Sequence, residues 1–538
     1  MVMERETDIH FYERMMIMHA HFPLMFRIRT WKILAILLIP LLPSATQSLQ
    51  ADDTNQLQAA FEERDITPEI GMEQPGGYGK SFHRSLHDPC KARIAVFANP
   101  SETAREYAVV VSLDALIVRR QTVLSVRDQI EKATGIPQDR ILIHATHSHS
   151  SGPTGMILPG EYDQADEFIQ DLAYNKSSCA DAKYLETVEK QIVDGVVTAW
   201  KKLAPSKFAV GRGHEDTVAH NRRFFMKSGL TVTHPRPGNP DIVKVAGPTD
   251  PEVGVLAVWN EQGKMSGCIV NYVCHATASP GGISANYIYY VEKVIQGMFG
   301  DDVVVVFIAG ASGDVTQVDN LTTVVPKSGE ASSALVGGRI GAEAVKVMLN
   351  MTPGTECMLD SRQTVLKIPR RAPRREHLEE ARSLIEQDPQ TVGAANWTFA
   401  KETLLLEARL KTEPVADVEV QALQIGPVVI VTNPAEYFCE YGLQIKEGSP
   451  FAYTFIASLS NGCVGYVPTL ASFGEHGGGY ETRLSSYSNL EITAGDQIRD
   501  TGIALANELK PGAVPEPKPI PNFQGPAWSY GDVPPQVD

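Results

Sequence analysis

Long hydrophobic runs are almost absent from this chain. The one strongly apolar stretch, Ile33–Leu42, is interrupted by Pro40 and falls short of the roughly 20 residues that a bilayer span needs. Arg27, Arg29 and Lys32 precede it and the small, polar Ser44–Ser48 follows, the layout of a secretory signal peptide. Cleavage is expected between Ala45 and Ala51, and because the acidic Met1–Leu24 segment is atypical of a signal, Met25 is the expected start. Residues 1–51 are therefore read as an export signal (secreted, periplasmic or envelope), with an uncleaved anchor as the alternative. Cysteine is also scarce: 7 in 538 residues and none spaced as CxxC, which excludes a dense disulfide scaffold and a zinc ribbon. The odd count leaves at least one thiol free, and Cys268 and Cys274, on one strand at about 3.3 Å per residue, lie too far apart to bridge. No dense Lys/Arg run occurs, and 48 basic against 64 acidic residues give a net charge of −16. Nucleic acid is thereby excluded as a general partner. A GxxxxGK(S/T) phosphate loop, a GxGxxG dinucleotide turn and internal repeats are all missing.

What is present is ordinary globular composition, 43% hydrophobic and 21% charged. Strand-like Ala108–Leu113 is followed by a helical pattern over Val118–Thr134, and Arg140–Ala145 reads as a strand running into a Ser/Gly/Pro loop. Tyr184–Leu203 repeats apolar residues at helical spacing. Gly254–Val258 and Cys268–Val273 read as strands paired across Asn260–Gly263, and Asp302–Ile308 as a buried strand. Arg374–Gln387 and Asn396–Lys411 read as an outer pair of antiparallel helices. Val418–Ile425 and Val428–Thr432 form a hairpin about Gly426-Pro427, and Phe438–Lys446 is a helix. The predicted class is α/β, with mixed β-sheets flanked by helices in one large domain over residues 52–510 and a Pro-rich extended tail over 511–538.

Buried strands that end abruptly in polar loops are where α/β proteins carry chemistry. Four such ends stand out. Arg140–Ala145 leads to His147 and His149; a strand continuing through them would put both rings on one face with Ile141 and Ile143, and His144 on the other. The pair could bind one metal together, or one could bind it while the other donates to a substrate. Asn271–Val273 delivers His275, either a hydrogen-bonded core histidine or a ligand. Thr432 leads through Asn433-Pro434-Ala435 to Glu436, either an acid offsetting a helix dipole or a ligand. Two histidines and a glutamate from separate strand ends would make an open zinc site. Phe307–Ala309 opens into Gly310–Thr316, where small residues admit close approach and Asp314 can anchor the loop. Tyr466 and Tyr480 sit in Gly-rich loops, covering a surface or else binding zinc or an oxyanion.

Taken in order, the motifs resemble the neutral/alkaline, non-lysosomal ceramidase family of zinc amidohydrolases. Asp65-Ile-Thr-Pro68 with Gly76-Gly-Tyr-Gly79 resembles its DxT…GYG segment, Ser112-Leu-Asp114 its SxD strand end, and Thr146–His149 with Ser151-Gly-Pro153 its THTHSGP motif. Asn221-Arg222, His275-Ala-Thr277, Gly313–Thr316, Pro434-Ala-Glu436, Tyr466–Thr469 and Gly479-Tyr-Glu481 resemble its NR, HxT, GDVS, PGE, YVTT and tyrosine-loop elements. The resemblance implies Zn2+ held by His147, His275, Glu436 and Tyr466, with His149, Arg222 and Tyr480 around the scissile carbonyl and Thr316 at the position of the family serine. It implies a small-molecule or lipid amide as substrate, ceramide first, and peripheral contact with a membrane surface. The departures are Thr316 followed by Gln317-Val318, an extra serine in the Ser150-Ser151 loop, Asn286 where an aspartate is usual, and an expected single catalytic domain with no carboxy-terminal β-sandwich of the kind full-length members carry. They leave two alternatives: a zinc hydrolase of a small amide or ester, and a non-catalytic binding protein that keeps the fold.

Overall fold

The framework is two sheets packed face to face with helices outside each. In the computed structural model the described residues are 56–99, 105–522, 525, 530 and 533–538, and residues 53–538 form one unit. The expected signal segment lies outside the described residues; among the described residues no helix is long and apolar enough to cross a membrane.

The large sheet contains β1 (Gln58–Asp65), β2 (Lys91–Asn99), β3 (Glu106–Leu113), β4 (Ile141–Ala145), β5 (Ala204–His214), β6 (Glu252–Asn260), β7 (Met265–Tyr272) and β8 (Val304–Ala309). Its order is β8-β7-β6-β5-β1-β2-β3-β4. The β3/β4 and β7/β8 pairs are parallel and the other pairs antiparallel. Only Gln58↔Pro205 and Ala59↔Ala204 join β1 to β5. The small sheet is β9 (Leu359–Pro369), β10 (Val415–Ile425), β11 (Val428–Thr432) and β12 (Tyr453–Ala457), with β11/β12 parallel. Alternation along the strands separates the layers. Phe97, Val110, Leu256 and Ile308 point inward onto Leu423, Ile430 and Phe455 of the small sheet.

On the outer face, Ile94 and Val111 meet α1 (Arg120–Thr134) and α2 (Ala182–Lys201), while Val255 and Val305 meet α3 (Tyr287–Phe299) and α4 (Gly329–Met348). Helix α2 forms where expected: Asp181 caps it by accepting from Tyr184 N (2.9 Å), and Val188, Ile192 and Val196 supply the buried stripe. The charged pair α5 (Arg375–Ile385) and α6 (Ala394–Leu410) packs together on the outside. Helices α7 (Cys439–Gly448) and α8 (Ala494–Asn507) cover the small sheet. Among its described residues the tail from residue 511 has no regular structure, and its start is tied to the hairpin by Gly512 N donating to Gly426 O (3.2 Å). All seven cysteines are free thiols.

Buried polar side chains hold the strand ends that bear the chemistry. His144 donates from Nδ1 to Ser458 O (2.8 Å) and accepts at Nε2 from Ala309 N (2.9 Å), joining the ends of β4, β8 and β12. Asn271 Nδ2 donates to Ile308 O and Ile456 O, both at 2.9 Å. Burial pushes His144 down from 6.5 to about 3. Below pH 6.5 the unfolded chain takes up a proton that the folded chain refuses. The stability contributed by this residue is therefore complete above pH 6.5 and lost as pH falls toward 3, by up to about 1.4 kcal/mol per pH unit. Urea titrations of His144→Gln should show a shallower fall in stability over that window than wild type; an identical slope refutes the assignment.

Candidate active site

Loops from the carboxy ends of β4, β7 and β11 bring three histidines and a carboxylate to one point. Strand β4 stops at Ala145, and His147 takes a left-handed φ of 64°, a conformation rare for a residue with a Cβ and concentrated at functional sites. This corrects the expectation that a continuing strand aligns His147 and His149; a turn, not the pleat, brings the rings together. The turn is held by Thr146 N donating to Leu113 O (2.9 Å) and Ser148 N to Ala115 O (3.1 Å). The extra serine is absorbed without loss, because Ser151 Oγ donates to Ser148 O (2.8 Å) and Ser151 O pairs with His83 Nε2 (2.8 Å).

His147 Nε2 lies 3.0 Å from His275 Nε2 and 3.2 Å from His149 Nε2. Glu436 Oε2 is 3.4 Å from the first and 3.5 Å from the second of these nitrogens. The tautomers follow from the opposite sides of the rings. His147 Nδ1 is 2.8 Å from Leu116 O and His275 Nδ1 is 2.9 Å from Ser312 O. A carbonyl only accepts, so both Nδ1 atoms carry the hydrogen, and the neutral rings turn bare Nε2 lone pairs toward each other. Glu436 Oε2, buried, has no hydrogen-bond partner. Burial alone would raise the Glu436 carboxyl, but His147, His275 and Arg222 outweigh it and hold it well below the usual range, so it is ionised. Burial pushes His275 well below 6.5 and His149 down to about 3. Two lone pairs and an orphaned carboxylate oxygen, all on buried side chains, make a place that suits a cation. His147, His149 and His275 offer ligand atoms within 4.8 Å of one another and could hold a metal ion; the carbonyls behind two of the rings are the usual orienting partners of ligand imidazoles.

Beside this cluster stands a cation with two phenols. Arg222 Nη2 donates to Gly313 O (2.6 Å) and to Tyr466 OH (3.2 Å), and the Tyr466 and Tyr480 hydroxyls are 3.0 Å apart. Glu436 and Tyr466 are register partners in a short parallel bridge. Burial pushes both phenols up, so they remain O–H groups. Asp314 anchors the loop as expected, accepting from Cys439 N and Asn221 Nδ2 at 2.8 Å each. These groups line a cleft of about 430 Å³, whose walls also include Leu116, Met156, Val318, Tyr78 and Tyr487.

No family model and no curated protein matches the sequence. Among solved structures, the neutral ceramidase from Pseudomonas aeruginosa aligns with a TM-score of 0.61 at 18% identity, over 86% of this chain and 77% of that one. A ceramidase complexed with C2 aligns at 0.60 and 16% identity over the same shares. The chain has the neutral ceramidase fold.

On that ceramidase fold, each sequence-predicted site residue reaches the same cleft. His147, His275 and Glu436 form the cation cluster and His149 joins it, whereas the nearest polar partners of Tyr466 are Arg222 and Tyr480. Thr316 is buried on the cleft wall with its hydroxyl donating to Gln317 Oε1 (2.8 Å), and Thr277 Oγ1 donates to the same oxygen (2.9 Å). Gln317, which looked only like a departure, thus orients two hydroxyls. Asn286 caps α3 through Oδ1, accepting from Tyr287 N (2.9 Å).

Sequence reasoning gave no role to Glu481, which is buried and accepts from Arg222 Nε (3.2 Å), Arg223 Nη1 (2.9 Å) and Thr233 Oγ1 (2.7 Å). Its place in the Gly479-Tyr-Glu motif was the available signal. Tyr487, His234 and Met156 carried none. Gly76 was quoted only as part of a motif, yet it has a φ of 113° and a Cβ there would collide with the His149 ring. Gly76→Ala should therefore displace His149 and cost about 1–3 kcal/mol of stability. Thermal unfolding with and without added metal checks this; an unchanged midpoint and metal affinity would refute it.

Proposed function

We propose that this protein is a zinc-dependent hydrolase that cleaves the amide bond of an N-acyl lipid of ceramide type, exported through its amino-terminal signal. The observation carrying the reading is the pair of bare imidazole nitrogens 3.0 Å apart with the unpartnered Glu436 oxygen beside them. Two imidazoles and a carboxylate are the borderline donor set that suits zinc, and Tyr466 is the fourth ligand that the family resemblance supplies. When bound, zinc polarises a carbonyl and lowers the pKa of water to about 7.

The chain's own groups do the rest. Arg222 and Tyr480 present N–H and O–H donors to the oxygen of the substrate amide as it gains charge, held in advance by Glu481 and Tyr466. His149, neutral and half-buried at the cluster edge, takes the proton that the attacking water gives up and passes it to the departing amine. Thr316 and Thr277, both fixed by Gln317, position the acyl end. Apolar Leu116, Met156 and Val318 receive chain carbons.

Purified protein should contain stoichiometric zinc and release fatty acid from fluorogenic N-acyl-sphingosine, with activity lost to chelator and restored by zinc. Cleavage of short-chain amides alone would move the assignment to a small-amide hydrolase. Metal without hydrolysis of any amide would leave a binding protein.

A further inference from the structure

Behind the cleft lies a second cavity that the reaction above does not use. It is a chamber of about 30 Å³, enough for a water molecule. It shares Gly77, Tyr78, Met156 and Tyr487 with the catalytic cleft as common walls. On its other side it shares Arg119, Glu161, Arg409, Cys463 and Val464 with an outer cleft of about 430 Å³. The three spaces therefore stand in a row, the metal cluster at one end and an ionic opening at the other.

Ionic and polar groups stand along the chamber wall beside apolar Ile117, Ile157 and Val464. Arg119 Nη2 donates to Glu161 Oε1 (2.8 Å), Arg409 Nε to Glu413 Oε2 (2.7 Å), and Glu402 accepts from Ser486. Apolar cavities of this size stay dry, whereas polar ones hold water. One wall group asks for it directly: Ser178 is buried, its hydroxyl has no hydrogen-bond partner, and it faces the chamber lining. An unpaired buried hydroxyl costs roughly 1–3 kcal/mol unless something bonds to it.

Amide hydrolysis consumes one water per turnover, giving a carboxylic acid and an amine. A lipid substrate entering from an aggregate fills the open cleft with hydrocarbon and shuts out solvent from that side. We infer that the chamber holds water on Ser178 and passes it to the catalytic cleft across their shared wall, where Tyr78 and Tyr487 meet edge to face with ring centres 6.4 Å apart, a rear supply drawn from the arginine-lined outer cleft. This inference rests on the hydrolase reading for its purpose and on the cavity geometry for its existence.

Two measurements test it separately. A crystal structure at a resolution that orders solvent should show a water bonded to Ser178 Oγ; an empty chamber overturns the inference whatever the activity. Val464→Phe narrows the junction between chamber and outer cleft, and Ser178→Ala removes the hydroxyl while leaving the space. Both variants should retain the wild-type zinc content and unfolding midpoint. Val464→Phe should then lose turnover severalfold on long-chain N-acyl-sphingosine in mixed micelles while keeping it on a short-chain soluble amide. Ser178→Ala should show a smaller loss of the same sign. Equal losses on both substrates, or no loss on either, overturn the inference. Wild-type protein lacking zinc or amide hydrolysis would instead defeat the reading of the site, a result distinct from an empty chamber.

Discussion

His147→Ala and His275→Ala should each strip the protein of its metal and of all measurable amide hydrolysis. Each change removes a bare Nε2 that Leu116 O or Ser312 O orients toward the cluster. Outer partners of metal ligands are typically worth about 10–100-fold in affinity, and a direct ligand should exceed that. Isothermal titration with zinc reads the loss directly. The same variants relieve lone-pair repulsion in the metal-free protein, because the two nitrogens no longer face each other at 3.0 Å. Their metal-free forms should therefore unfold no earlier than metal-free wild type, although the loaded wild type unfolds later than all of them. Retention of wild-type zinc affinity by either variant would exclude that residue from the centre.

Arg222→Ala should lower kcat by about 100- to 1000-fold, the usual loss when one preorganised donor to a developing oxyanion is removed. Its zinc content should fall little, because Arg222 bonds to Gly313 O, Glu481 and, of the proposed ligands, Tyr466 alone, leaving His147, His275 and Glu436 in place. The fold should survive, since Arg223 and Thr233 still pair with Glu481. Arg222→Lys should recover little, because a point charge cannot span Gly313 O, Tyr466 OH and the Glu481 carboxylate as the planar guanidinium does. Steady-state kinetics separate the outcomes: a rise in KM with kcat intact would make Arg222 a binding group and contradict its role at the carbonyl.

The parts of this fold and site that were legible in the sequence were those with a local cause. Valine-rich β3, β8 and β11 and the regular apolar stripe of α2 announce themselves by period, and the Gly426-Pro427 turn fits the φ of 59° at Gly426. The strand-end residues His147, His275 and Glu436 were visible because buried runs stop at them. What stayed hidden depends on distant partners. The strand β9 carries exposed and charged positions such as Arg362 and Lys367, so neither alternation nor composition marks it until β10 pairs along its whole length. Helix α3 opens on Asn286, a favoured capping residue, but at a φ of 64° that no local pattern announces. Glu481 reads as one more acid in a turn, and only the approach of Arg222 and Arg223 from a distant stretch of the chain makes it a buried clamp. The strand reading of His147 and His149 failed because alternation cannot foresee a single residue entering the left-handed region.

The account depends on a cation seated among His147 Nε2, His275 Nε2 and Glu436 Oε2. Anomalous X-ray diffraction at the zinc edge, from crystals grown without added metal, tests that directly. One strong peak in contact with all three atoms is the predicted result. A map with no peak there, or with zinc bound only at other residues, would contradict it.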